Sequence, residues 1–88
     1  MTVKFGKLFS KDLLKIKDST LKKDIVDMII LLENSESLQN FSNIKKMKGH
    51  SEAYRIRIEK YRLGFYFDGD VIELARFAKR EDIYKLFP

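Results

Sequence analysis

From Tyr54 to Phe67 the chain reads Tyr-Arg-Ile-Arg-Ile-Glu-Lys-Tyr-Arg-Leu-Gly-Phe-Tyr-Phe, and its alternation of apolar and polar residues predicts two half-buried strands. Tyr54, Ile56 and Ile58 share one face with Tyr61, Leu63, Phe65 and Phe67 of the return strand. Arg55, Arg57 and Arg62 share the other. With Glu59 and Lys60 as a two-residue turn, Ile58 pairs with Tyr61 and Arg57 lies opposite Arg62. Like charges directly opposite destabilise a strand pair, so an anion is expected between them. The plainer alternative is that the arginines keep an exposed sheet face solvated. Against it, lysine would solubilise equally well, whereas the planar fork of arginine suits bidentate contact with phosphate. Acidic partners are also scarce on this face, where the hairpin offers only Glu59 and Asp68, both near turns.

Eighty-eight residues make one small domain, spanning 1–88, with a formal net charge of +5. Such a balance favours polyanionic partners: RNA, DNA or an acidic protein segment. The absence of cysteine excludes disulfides and thiol catalysis, and a single histidine argues against a transition-metal cage. No metal and no cofactor is expected at the site, with carboxylate-bound magnesium left open by composition alone. The longest apolar run, Met28 to Leu32, is too short to cross a membrane, and the N-terminus lacks the apolar core of a signal peptide. A cytoplasmic protein with no membrane partner is the expectation.

Around the hairpin, Thr2 to Phe5 alternates and predicts a first strand ending near Gly6. Ser10 is positioned to cap a short helix from Lys11 to about Asp18, burying Leu13, Leu14 and the stem of Lys17. A longer helix follows Ser19 and Thr20, with Leu21, Ile25, Met28, Ile29 and Leu32 as its core stripe. Residues 34 to 43 form an ordered loop pinned by Leu38, Phe41 and the following Ile44. The basic stretch Lys45 to His50 is a loop beside the hairpin, either merely solvated or clamping a nucleic-acid backbone through Lys46 and Lys48. Asp68-Gly69 turns the chain into a last strand, Val71 to Phe77. Parity sends Ile72, Leu74 and Ala78 to the core and Val71, Glu73, Ala75 and Phe77 to the arginine face. Arg76 then points inward, which calls for a bulge or for a carboxylate at the sheet edge. The end of the chain, from Lys79, predicts a helical turn with Arg80 and Tyr84 on one side.

The order of strand, two helices, three antiparallel strands and a C-terminal helix resembles the RelE/ParE toxin superfamily. The resemblance is carried by Lys46-Met47-Lys48-Gly49, Tyr54-Arg55-Ile56-Arg57, Tyr61-Arg62-Leu63 and Lys79-Arg80-Glu81-Asp82-Ile83-Tyr84, and covers nearly the whole chain. It implies an α+β fold with a sheet like that of microbial ribonucleases. On the RelE side it implies a metal-independent endoribonuclease that cuts messenger RNA in the ribosomal A site, with a cognate antitoxin as partner. The ParE side, which poisons DNA gyrase, generally lacks the terminal arginine and tyrosine, so Arg80 and Tyr84 favour RelE. Two alternatives remain open: a gyrase-binding poison and an RNA-binding module without cleavage. They do not require Arg80 and Tyr84 to face the arginine sheet.

Matched to the family, Arg55, Arg57, Arg62, Arg80 and Tyr84 are the expected catalytic set. Metal-free cleavage by the ribose 2′-OH requires removing one proton, stabilising a phosphorane and protonating the 5′-oxygen. Arg62 and Arg80 are placed to hold the phosphate, with Arg55 and Arg57 neutralising charge. The best-known RelE arrangement has lysines where this chain has Arg55 and Arg57, and arginine is a poor proton acceptor. Tyr84 is therefore the candidate base, with Lys79, Lys48 and His50 as reserves. Tyr66 and Phe77 on the arginine face are expected to stack on bases, and Lys79 to contact RNA.

Overall fold

The hairpin forms in the expected register. In the computed structural model, which describes residues 1–88, β3 (Ala53–Ile58) and β4 (Tyr61–Phe67) pair with Ile58 opposite Tyr61 and Arg57 opposite Arg62. Glu59 takes the left-handed conformation, with φ of 54°, that lets the two-residue turn close. Around the hairpin stand β1 (Thr2–Phe5), α1 (Lys7–Leu14), α2 (Ser19–Asn34), β2 (Ile44–Lys46), β5 (Val71–Lys79) and α3 (Arg80–Leu86). They build an α+β fold on a five-stranded sheet of order β1-β5-β4-β3-β2. Only β1 runs parallel to its neighbour, β5. No helix is long and apolar enough to cross a membrane.

One sheet face carries the main core. α2 contributes Leu21, Ile25, Ile29 and Leu32, with Met28 half-buried beside them, and the sheet contributes Ile56, Ile58, Leu63, Phe65, Ile72, Leu74 and Phe77. Each such side chain taken from water contributes roughly 1.5–3 kcal/mol. Asp18 caps α2, its Oδ1 accepting from the amides of Thr20 (2.9 Å) and Leu21 (3.1 Å). At the other end the Met1 ammonium donates to the carbonyls of Glu33 (2.8 Å) and Ser35 (2.9 Å), a cation at the negative pole of the helix.

Three expectations are corrected. The first helix begins at Lys7, four residues ahead of the expected Lys11, because Gly6 lies directly against β5 and opens it. The Gly6 amide donates to the Leu74 carbonyl (2.8 Å), and a Cβ there would stand 2.5 Å from that oxygen. The helix consequently buries Phe9 and Asp12, leaving Leu14 and Lys17 exposed and Leu13 half-buried. The basic stretch is not wholly loop: Ile44, Lys45 and Lys46 form the edge strand β2, paired to Ile56, Arg55 and Tyr54.

The third correction concerns β5. Gly64 pairs with Arg76 while the next residue, Phe65, pairs with Leu74, leaving Ala75 without a partner in a bulge. Parity reverses beyond it. Phe77 enters the main core, and Ala78 and Ala75 pack on the other face. β1 accompanies β5 only as far as Leu74, so the next stretch of β5 is an edge. Asp12 occupies it: its Oδ2 accepts from the Phe77 amide (2.9 Å) and from Arg76 Nε (2.9 Å), and its Oδ1 accepts from the other arm of that guanidinium (3.2 Å). Both provisions foreseen for Arg76, bulge and carboxylate, are present.

Candidate nucleic-acid cleft

The arginine face divides into an apolar half and a charged half. In the apolar half, Ala53, Ala75 and Ala78 make a shallow floor on which α3 settles through Ile83 and Phe87, with Met47 at the margin. Gly64 is essential to the seat, because a Cβ there would collide with the Phe87 ring. Holding α3 in this way turns Arg80 and Tyr84, four residues apart on that helix, toward the strands. The Arg80 amide also donates to the carbonyl of Lys60 in the hairpin turn (2.9 Å), tying the start of the helix down.

The charged half is a cleft of about 490 Å³ lined by Ser42, Asn43, Ile44, Lys45, Arg55, Arg57, Arg62, Arg80 and Tyr84. Neither of the molecule's two ion pairs, Lys23 with Asp27 and Arg76 with Asp12, lies here, so no carboxylate neutralises the arginines. Arg62 instead bends over the turn, donating to the carbonyls of Tyr61 (2.8 Å) and Glu59 (3.1 Å). Burial, then the charges of Arg80 and Arg57, hold its pKa below the usual guanidinium value. An arginine remains charged nonetheless, and the like-charge part of this crowding is what an anion would relieve. Asn43 fixes the mouth, its carbonyl accepting from the Arg57 amide (2.9 Å) and its Nδ2 donating to the Arg57 carbonyl (3.1 Å).

Tyr84 is largely exposed, and its ring lies under Arg55, whose guanidinium carbon is 4.7 Å from the ring centroid. Interaction of its hydroxyl with Arg80, and then the charge of Arg55, lower the phenol pKa from its ordinary value. The surrounding cations favour the phenolate. No three His, Asp or Glu side chains gather as a metal-ligating group. What the cleft offers is dense positive charge around one ionisable hydroxyl.

All five residues expected to be catalytic meet in this cleft; the five expected to bind RNA do not. Lys46 pairs with Tyr54 and so belongs to the opposite sheet face, since cross-strand partners share a face. Lys48 sits exposed in the turn before Gly49 and does not line the cleft. Tyr66 is on the expected face but packs against Phe87, 5.0 Å between centroids, and opens on a different hollow with Lys4, Glu52 and Asp68. Phe77 is buried and stacked on Tyr61 at 5.0 Å, because the bulge reversed its direction. Lys79 lines a second hollow, of about 460 Å³, with Asp12, Tyr61 and Lys85. His50 is exposed and away from the cleft. Conversely, Ser42 and Asn43 were not anticipated, and Lys45 was expected only as part of the basic stretch, not as a residue of the site. Lys45 was detectable in principle: once Ile44 is assigned to the core, the next residue of a strand must face the arginines.

No family model matches the chain. Toxin RelE3 from Methanocaldococcus jannaschii is 42% identical over 89 residues, covering all of both chains. The toxin chain in the crystal structure of a RelB–RelE antitoxin–toxin complex from Methanococcus jannaschii superposes with a TM-score of 0.81 at 39% identity, over 97% of this chain and 99% of that one. The archaeal RelE–RelB complex from Pyrococcus horikoshii shares the fold, with a TM-score of 0.71 at 20% identity over 90% of this chain and 93% of that one. With a full-length relative at this identity and a matching sheet, the chain belongs to the RelE family of toxins.

Proposed function

We propose that this protein is the toxin of a toxin–antitoxin pair and acts as a ribosome-dependent, metal-independent endoribonuclease on messenger RNA. The observation that carries the reading is the convergence of Arg55, Arg57, Arg62, Arg80 and Tyr84 on one cleft without a carboxylate among them. A plain solvated face would not need α3 to bring a fourth arginine and a tyrosine to the other three.

In this reading the scissile phosphate enters between Arg62 and Arg80, whose guanidinium groups hold its oxygens as negative charge grows on the phosphorane. Each such donor contributes roughly 3 kcal/mol to the transition state. Arg55 and Arg57 neutralise the flanking backbone and align the 2′-oxygen with phosphorus. The Tyr84 phenolate, favoured by Arg80 and Arg55, accepts the 2′-OH proton. A cognate antitoxin is the natural inhibitor: carboxylates over the arginines would block the cleft by charge and by bulk. The relative solved as an antitoxin–toxin complex supports such a partner.

The test is brief expression in cells, with messenger 5′ ends mapped by primer extension and plasmid supercoiling followed in parallel. Codon-phased cuts are the expected result. Intact messengers with altered supercoiling would replace this reading by a gyrase poison, and bound but uncut RNA by a binding module.

A further inference from the structure

The reaction above requires two proton transfers, one away from the 2′-oxygen and one onto the 5′-oxygen, and Tyr84 accounts for only the first. Among the residues that line the cleft, the four arginines keep their protons, and serine, asparagine and isoleucine do not exchange them near neutrality. Lys45 is left. It lies in β2 directly across from Arg55, on the face opposite to its core-directed neighbour Ile44. The sheet order sets β3 between β2 on one side and β4 and β5, against which α3 mainly packs, on the other. Lys45 and Tyr84 therefore approach Arg55 from opposite flanks, one from the edge strand and the other with its ring beneath the guanidinium. An in-line displacement needs its base and its acid on opposite sides of phosphorus.

We propose that Lys45 is the general acid of the cleavage, giving its ammonium proton to the leaving 5′-oxygen while Tyr84 takes the proton of the 2′-OH. The assignment rests on the nuclease reading. The 2′-oxygen–phosphorus bond forms and the phosphorus–5′-oxygen bond breaks. The products are a 2′,3′-cyclic phosphate and a 5′-hydroxyl, with Lys45 left as an amine and Tyr84 as a phenol. Water restores both groups, and neither metal nor oxidant enters. A lysine so placed supplies what arginine cannot where the β3 pair, Arg55 and Arg57, is free of lysine.

The experiment is single-turnover cleavage on ribosomes programmed with a synthetic messenger, bearing either oxygen or sulfur at the bridging 5′ position of the cut. Sulfur leaves as an anion and needs no proton. Lys45→Arg keeps the charge and removes the transferable proton; it is expected to cut the oxygen substrate about 100-fold more slowly than wild type. On the sulfur substrate it should match wild type, with ribosome binding unchanged on both. Equal slowing on the two substrates, or none on either, would overturn the role of Lys45. A wild-type protein that cuts neither substrate would overturn the nuclease reading itself.

Discussion

The guanidinium of Arg55 covers the ring of Tyr84 at 4.7 Å, linking the first strand of the hairpin to a helix that begins more than twenty residues later. Two expectations follow for the phenol. Tyr84→Phe retains the ring and its stacking on Arg55 but removes the hydroxyl, so cleavage should fall by about 100-fold or more while ribosome binding persists. Because Arg80 and Arg55 lower the phenol pKa, the wild-type rate should rise with pH and level off below the reference value of about 10. Arg55→Gln should move that limb toward higher pH, and Tyr84→Phe should abolish it. A limb that survives in Tyr84→Phe would assign the base elsewhere.

Arg80→Ala should abolish messenger cleavage, with a loss of about 100-fold or more, and leave the thermal transition nearly unchanged. Arg80 opens α3 on the cleft side, while Ile83 and Phe87 anchor the helix. Circular dichroism alongside ribosome-dependent cleavage separates the two effects. A folded Arg80→Ala protein that cuts normally would remove this residue from the transition state.

Gly64→Ala should both destabilise the protein, by about 1–3 kcal/mol, and impair cleavage, although Gly64 does not line the cleft. The added methyl meets the Phe87 ring and displaces α3, and with it Arg80 and Tyr84. Adding Phe87→Leu should make the double variant less destabilised than the sum of the singles, since the ring that clashes is gone. Urea titrations of the four proteins measure this coupling.

Asp12→Ala should lower stability by about 2–3 kcal/mol, because it strips Arg76 and the Phe77 amide of their shared acceptor at a site where Asp12 itself is 8% exposed. Asp12→Asn, which keeps an acceptor oxygen, should cost less. Chemical denaturation with an unchanged m-value is the check.

The sequence made the hairpin readable because a period of two, a two-residue turn and a run of arginines all act within a few residues of one another. It also made α2 readable, through its helical stripe, whereas the cap at Asp18 was hidden by assigning that residue to the end of the first helix. The errors lie where distant residues decide. Asp12 holds β5 just beyond its bulge from more than sixty residues away in the chain, and that bulge sent Phe77 inward. The start of α1 depended on the fit of Gly6 against Leu74, which no local pattern records. For the cleft, the convergence of Arg55, Arg57, Arg62, Arg80 and Tyr84 was legible in advance. The surrounding basic residues were not, because a strand of three residues is too short to declare its parity, and Lys45 and Lys46 differ only by the face they occupy.

The pairing of Arg57 opposite Arg62 gives ionic strength two opposed effects on this molecule. Dissolved salt screens the repulsion within the empty cleft, so the free protein should become more resistant to unfolding as salt is added. If messenger RNA is the ligand, as proposed, the same ions compete with its backbone, so the grip on RNA should weaken over the same range. Conditions that best preserve the isolated toxin are thus the ones in which it holds its target least.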